Sequence, residues 1–173
     1  DGEEAGVVSA TFSRDGSCDY VYSTHRFGEK WMRIYDMNTV MSYYAKDKDI
    51  RAQMKTYPDR TDYADKRFRN FIYVNCWYFR PDWTVEILEN GKPLEVNMVS
   101  DEDPLFNVNK YLPSFINKPV FNDKYERIIN RHMFSAKAHT SRGKVTVRVK
   151  DAEGNVIREE TLTRPKAFSP DME

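Results

Sequence analysis

This sequence predicts an all-β fold, an antiparallel β-sandwich of about eight or nine strands with long loops and one or two short helices. Three observations carry that reading. Aromatic residues are abundant, with 10 Phe, 11 Tyr and 3 Trp in 173 residues, and such side chains suit a pleated, half-buried surface. Short runs alternate apolar and polar residues and are separated by turn signals such as Asp15-Gly16 and Asn90-Gly91. Strands do not alternate with long helical patterns, which argues against a parallel α/β sheet. Two packed sheets are the natural way to bury so many one-faced strands.

The elements follow in order. Residues 7–12 are β-prone, Arg14-Asp15-Gly16-Ser17 is a hairpin turn, and residues 18–23 alternate as the returning strand. Residues 31–35 read as a third strand. Asp36 or Asn38 is placed to cap a short helix within residues 37–50. Residues 50–69 are highly charged and read as a long connection with one helical turn. Residues 68–79 form the most apolar segment and the best central strand, ended by Pro81-Asp82. Residues 83–89 alternate again. Asn90-Gly91 signals a type I′ turn, and Leu94, Val96 and Met98 are expected on one face of the partner strand.

Residues 100–124 carry Pro104, Pro113 and Pro119 and read as an irregular excursion, with a short helix over 125–129. A strand is expected over 133–138. Residues 144–150 alternate cleanly: Val145, Val147 and Val149 on one face, Lys144, Thr146, Arg148 and Lys150 on the other. A turn at 151–155 leads to a last strand over 156–163. Beyond Pro165 the tail is expected to fray or to add an edge.

Charge is balanced, 27 Lys and Arg against 27 Asp and Glu, so nothing global steers the chain towards nucleic acid or anionic lipid. No apolar run approaches the ~20 residues of a membrane span, and no signal peptide is present. The chain opens with Asp1-Gly2-Glu3-Glu4 and no initiator Met; this reads as a cut or processed end, and residues 1–173 as one domain. Cys18 and Cys76 are not in a C-x-x-C pair, which excludes a ribbon- or finger-type zinc site. They read as two buried thiols or as a disulfide, depending on their Cα separation.

Chemistry is sparse. His25, His132 and His139 occur in no ligand-type spacing and read as surface or edge imidazoles. There is no G-x-S-x-G elbow and no Gly-rich phosphate cradle. The acidic run Asp101, Glu102 and Asp103 sits in a loop and is expected to be solvated. No catalytic residue, no metal ligand and no cofactor is therefore assigned to this chain. The aromatics Trp77, Tyr78 and Trp83 are the most distinctive feature. Such rings stack on sugars, so a carbohydrate- or glycan-binding module is the alternative to core packing and contact with a neighbouring domain.

Five stretches together carry a family resemblance. Tyr73-Val74-Asn75-Cys76-Trp77-Tyr78-Phe79-Arg80-Pro81-Asp82-Trp83-Thr84-Val85-Glu86-Ile87-Leu88-Glu89-Asn90-Gly91-Lys92-Pro93 is the longest. His132-Met133-Phe134-Ser135-Ala136-Lys137, followed by Lys144-Val145-Thr146-Val147-Arg148-Val149, is the second. Met32-Arg33-Ile34-Tyr35-Asp36 near the start and Thr163-Arg164-Pro165-Lys166-Ala167-Phe168 at the close complete it. The chain resembles the C-terminal domain of bacterial, Bacteroidetes-type calcineurin-like metallophosphoesterases. It departs from that pattern at Cys76-Trp77-Tyr78-Phe79-Arg80, where small or polar residues are usual, and over 50–67. The catalytic module of such proteins holds divalent metals through Asp-x-His, Gly-Asp-x-x-Asp and Gly-Asn-His-Glu motifs, none of which occurs here. The resemblance implies an accessory domain without catalysis, attached to an upstream phosphoesterase module that carries the metals. It also implies a periplasmic, cell-surface or secreted location. Removed from that module, the domain is expected to self-associate weakly.

Overall fold

In the computed structural model the described residues are 32–77, 79–108 and 129–170, together with the backbone of two strands near the start. Those two, β1 (Val7–Phe12) and β2 (Cys18–Ser23), form an antiparallel hairpin that pairs with no other described strand. The turn at 13–17 lies outside the described residues.

The body begins at β3 (Met32–Asp36). It continues through α1 (Met37–Lys46), α2 (Lys48–Thr56), a 3-10 turn at Lys66–Phe68 and β4 (Phe71–Cys76). Next come β5 (Thr84–Glu89), β6 (Lys92–Pro93), β7 (Val96–Asp101) and α3 (Pro104–Phe106), then β8 (Asn130–Lys137), β9 (Gly143–Lys150) and β10 (Val156–Arg164). Two four-stranded antiparallel sheets result. Sheet I runs β10-β9-β5-β6 and sheet II runs β3-β4-β8-β7. The all-β sandwich expected from the sequence is the observed architecture, with three short helices among the described residues.

The register explains why the alternation was readable. Val145, Val147 and Val149 of β9 are fully buried and meet Ile87 of β5 and Leu162 of β10. From sheet II, Met32, Ile34, Ile72, Val74 and Phe134 close the same core. The second face of sheet II is buried as well. Tyr35, Tyr73 and Met133 pack there under Val40 and Tyr44 of α1 and Ile50 of α2. A strand covered on both sides loses its period of two, so β4 reads as one apolar run and sits centrally between β3 and β8. Cys76 is buried in the inner core; the side chain of Cys18 lies outside the described residues.

Three expectations change. First, the stretch 50–69 is not one long connection: α2 extends to Thr56. Asp47 starts it, its carboxylate accepting from the backbone N–H of Asp49 at 2.9 Å and of Ile50 at 3.0 Å, and such a cap satisfies donors a helix start leaves open. Asp36 caps α1 in the same way through Asn38 N–H at 3.2 Å.

Second, the partner strand after Asn90-Gly91 is only two residues long. The turn itself forms, with φ of 50° at Asn90 and 82° at Gly91, the left-handed pair a type I′ turn needs. Pro93 then has no N–H to continue a ladder. Leu94 N–H still donates to Ile87 O at 2.8 Å, after which the chain crosses over and β7 pairs with β8 in sheet II. Val96 and Met98 thus leave the sheet that holds β5 and β6, and Met98 is 57% exposed at the sheet edge.

Third, residues 166–170 are neither frayed nor an added edge. Phe168 is buried against Tyr43, with ring centroids 5.1 Å apart, and Thr39 Oγ1 donates to Lys166 O at 2.6 Å. Aromatic burial holds it on the helical layer. Most of the irregular excursion, with the helix expected over 125–129, falls outside the described residues.

Candidate functional site

Of the acidic run that the sequence marked as solvated, Glu102 and Asp103 are buried and Asp101 is half-buried. Glu102 is 0% exposed and Asp103 nearly so. Asp103 caps α3, and the cap is only part of its load. Oδ1 accepts from Leu105 N–H at 2.9 Å and Phe106 N–H at 2.8 Å. Tyr35 OH donates at 2.8 Å, and Asn75 Nδ2 donates to Oδ2 at 2.6 Å. Glu102 Oε2 accepts Thr61 N–H at 3.0 Å. The Tyr63 hydroxyl donates to Glu102 O, and the Tyr44 hydroxyl to Pro104 O at 2.8 Å. Tyrosines from β3, α1 and the 60s loop therefore tie down one connection, that between β7 and α3.

This network has an electrostatic signature. Burial pushes the Tyr35, Tyr44 and Tyr63 phenols well above their usual range, and the nearby carboxylates push the same way. Burial also depresses His132, partly offset by the charge of Asp103. The Asp103 oxygens are filled by protein donors, so they suit a structural knot and not a metal ion. Among the described residues no group of three or more His, Cys, Asp or Glu could hold a metal.

A second buried knot lies between sheet I and the loop after β8. Glu89, at the end of β5, accepts from His139 N–H at 2.8 Å, Thr140 N–H at 3.1 Å and Thr140 Oγ1 at 2.7 Å. Arg164, at the end of β10, adds a bond at 2.9 Å and also donates to Thr140 O at 2.7 Å. Burial raises the carboxyl pKa, but these donors outweigh it and the net direction for Glu89 is downward. Both partners are almost fully enclosed, and their bonds hold the backbone at 139 and 140. The knot fastens a loop and has no visible opening to a substrate.

An open concavity lies among the described residues on the outer face of sheet II. It is a groove of about 290 Å³ lined by Arg67, Phe68, Phe71, Tyr73 and Asp101. Strand β4 supplies Phe71 and Tyr73 by its period of two, the 3-10 turn supplies Arg67 and Phe68, and the end of β7 supplies Asp101. Tyr73 is raised to about 12, by burial first and then by Asp101, with Arg67 acting against both. The two opposite charges thus bear on one phenol.

The aromatics singled out in the sequence are placed differently from one another. Trp77, just after β4, is 7% exposed, and the Arg33 guanidinium lies 5.1 Å from its ring centroid. Trp83 is half-buried against the sandwich core, with the Arg80 guanidinium 5.7 Å away. Tyr78 lies outside the described residues. Sequence reasoning named these three and missed the groove, because its five residues come from three segments that only the sheet brings together. The one available signal was the alternation of Phe71 and Tyr73 inside an apolar run.

The described residues thus form a two-sheet sandwich with a buried acidic connection. A family model described as the C terminal of calcineurin-like phosphoesterase matches residues 5–156, and the chain belongs to that family. The match ends at the first residue of β10, although β10 completes sheet I and delivers Leu162 to its core. No curated protein matches the chain, and no solved structure does. No helix among the described residues is long and apolar enough to cross a membrane.

Proposed function

We propose that this chain is a non-catalytic accessory domain that packs on an upstream phosphoesterase module and shapes access to its metal site. The observation that carries the reading is the family match over residues 5–156, whose description places the domain at the C-terminal end of a phosphoesterase. The chain's chemistry supports it: the buried carboxylates of Asp103 and Glu89 are consumed by structural hydrogen bonds. The outer face of sheet I is an unsuitable docking surface. It carries the ion pairs Lys150–Glu86, at 2.6 Å, and Arg148–Glu159, and such charge is depleted at the centre of interfaces. Docking through β1–β2 and the segment 79–83 fits better, since a two-stranded hairpin is at best marginally stable alone. A periplasmic, cell-surface or secreted location belongs to the same reading.

The test compares the chain alone with the chain fused to its upstream module. The purified chain, supplied in turn with Mg²⁺, Mn²⁺, Zn²⁺ and Ca²⁺, is expected not to hydrolyse p-nitrophenyl phosphate. It should self-associate weakly by light scattering, and the fused protein should be monomeric and melt in one coupled transition. Metal-dependent turnover by the chain alone, or two independent melting transitions in the fusion, would sink the reading.

A further inference from the structure

We propose that the groove on the outer face of sheet II is a subsite for a neutral, polyhydroxylated ring, a pyranose. The lining chemistry selects this class. Arg67 and Asp101 supply one positive and one negative charge to the lining, and the Lys137 ammonium lies 5.8 Å from the Phe71 ring centroid. Arg67 makes its ion pair with Asp65, at the long distance of 3.9 Å, and its side chain is 63% exposed. Asp101 uses Oδ1 for Thr61 Oγ1 at 2.6 Å and Glu102 N–H at 2.9 Å. Both charges bear on Tyr73, whose hydroxyl forms no hydrogen bond with any described residue. A phenol is protonated at neutral pH, so this hydroxyl is a donor there.

A simple anion would meet Asp101, and a simple cation would meet Arg67. An apolar side chain would strip water from both charges and return nothing, which is costly. Vicinal hydroxyls can accept from a guanidinium and donate to a carboxylate at once, and the half-buried Phe71 ring offers an apolar contact for the C–H face of a sugar. The volume, about 290 Å³, sits at the small end for a ligand pocket and suits a single ring or the end of a chain. This site is separate from Trp77 and Trp83, and the inference does not rest on docking to an upstream module.

The experiment is a titration of the isotopically labelled chain, followed by amide chemical shifts. The probes are methyl α-mannopyranoside, methyl α-glucopyranoside and methyl β-galactopyranoside, with glycine as a zwitterionic control. At least one pyranoside should give saturable shifts at residues 66–73 and 101. Arg67→Ala and Asp101→Asn should each weaken it about tenfold, and Tyr73→Phe about threefold. Arg67 is exposed and Asp101→Asn keeps an oxygen that can accept at Oδ1, so all three variants should retain a dispersed spectrum. Trp83→Ala should leave the affinity unchanged. Several results would overturn the proposal: no saturable shift with any pyranoside, shifts with glycine alone, equal affinity in the groove variants, or a response centred on Trp83.

Discussion

The two faces of sheet II bury comparable elements by different means. The inner face, turned to sheet I, is hydrocarbon: Ile34, Ile72, Val74 and Phe134 meet the valines of β9. The outer face, under the helices, is built of tyrosines whose rings pack edge to face, as Tyr44 does on Tyr63 with centroids 5.4 Å apart. Their hydroxyls reach the backbone and carboxylates of the loop after β7. The first kind of burial is non-directional and tolerates exchange of shape for shape. The second fixes one connection in one place, because a buried polar atom that loses its partner carries the full cost of desolvation. The open groove lies on the polar side. There the layer above the sheet is made of two short helices, a 3-10 turn and loops and not of a second sheet.

The largest effect that would break this comparison is expected at Asp103. Replacing it by Ala removes the acceptor for two backbone N–H groups, the Tyr35 hydroxyl and the Asn75 amide. A loss of about 3 kcal/mol or more in urea denaturation is expected, since several buried donors lose their partner together. A loss under about 1 kcal/mol would mean that water replaces the carboxylate freely and that the outer face is not knotted.

A smaller effect is expected on the inner face. Val147→Ala should cost about 1–3 kcal/mol, from lost burial and the cavity left. Arg148→Ala, one residue along and pointing to solvent with its partner Glu159, should cost under about 0.5 kcal/mol. Equal losses at the two positions would contradict the register of β9.

The third prediction sharpens the contrast through pH. The phenols of Tyr35, Tyr44, Tyr63 and Tyr73 are all raised by burial. Their folded values lie above the unfolded value, so their contribution to stability is fully present below pH ~10 and is lost as pH rises through the folded values. Tyr73, at about 12, marks where its own share is gone. Stability should therefore hold to about pH 10 and then fall at up to about 1.4 kcal/mol per pH unit for each buried tyrosine. Tyr44→Phe should make that alkaline fall shallower by one proton. An unchanged slope in the variant would show that the Tyr44 hydroxyl is not protected.

The sequence by itself determined the sandwich, the inner-facing valines of β9, the central place of β4 and the turn at Asn90-Gly91. Each of these depends on neighbours a few residues apart, where a period of two or a positive φ leaves its mark. It determined the family as well, because strand and turn residues carry that resemblance. Tertiary structure alone decided the rest. Asp101, Glu102 and Asp103 look like any solvated loop until Tyr35, Tyr63 and Asn75 arrive from 28 to 68 positions away. The two-residue length of β6, the docked Phe168 and the five-residue groove are likewise pairings across the chain. Such contacts are set by which surfaces must be covered and which buried polar atoms must be matched, and local sequence holds no record of either.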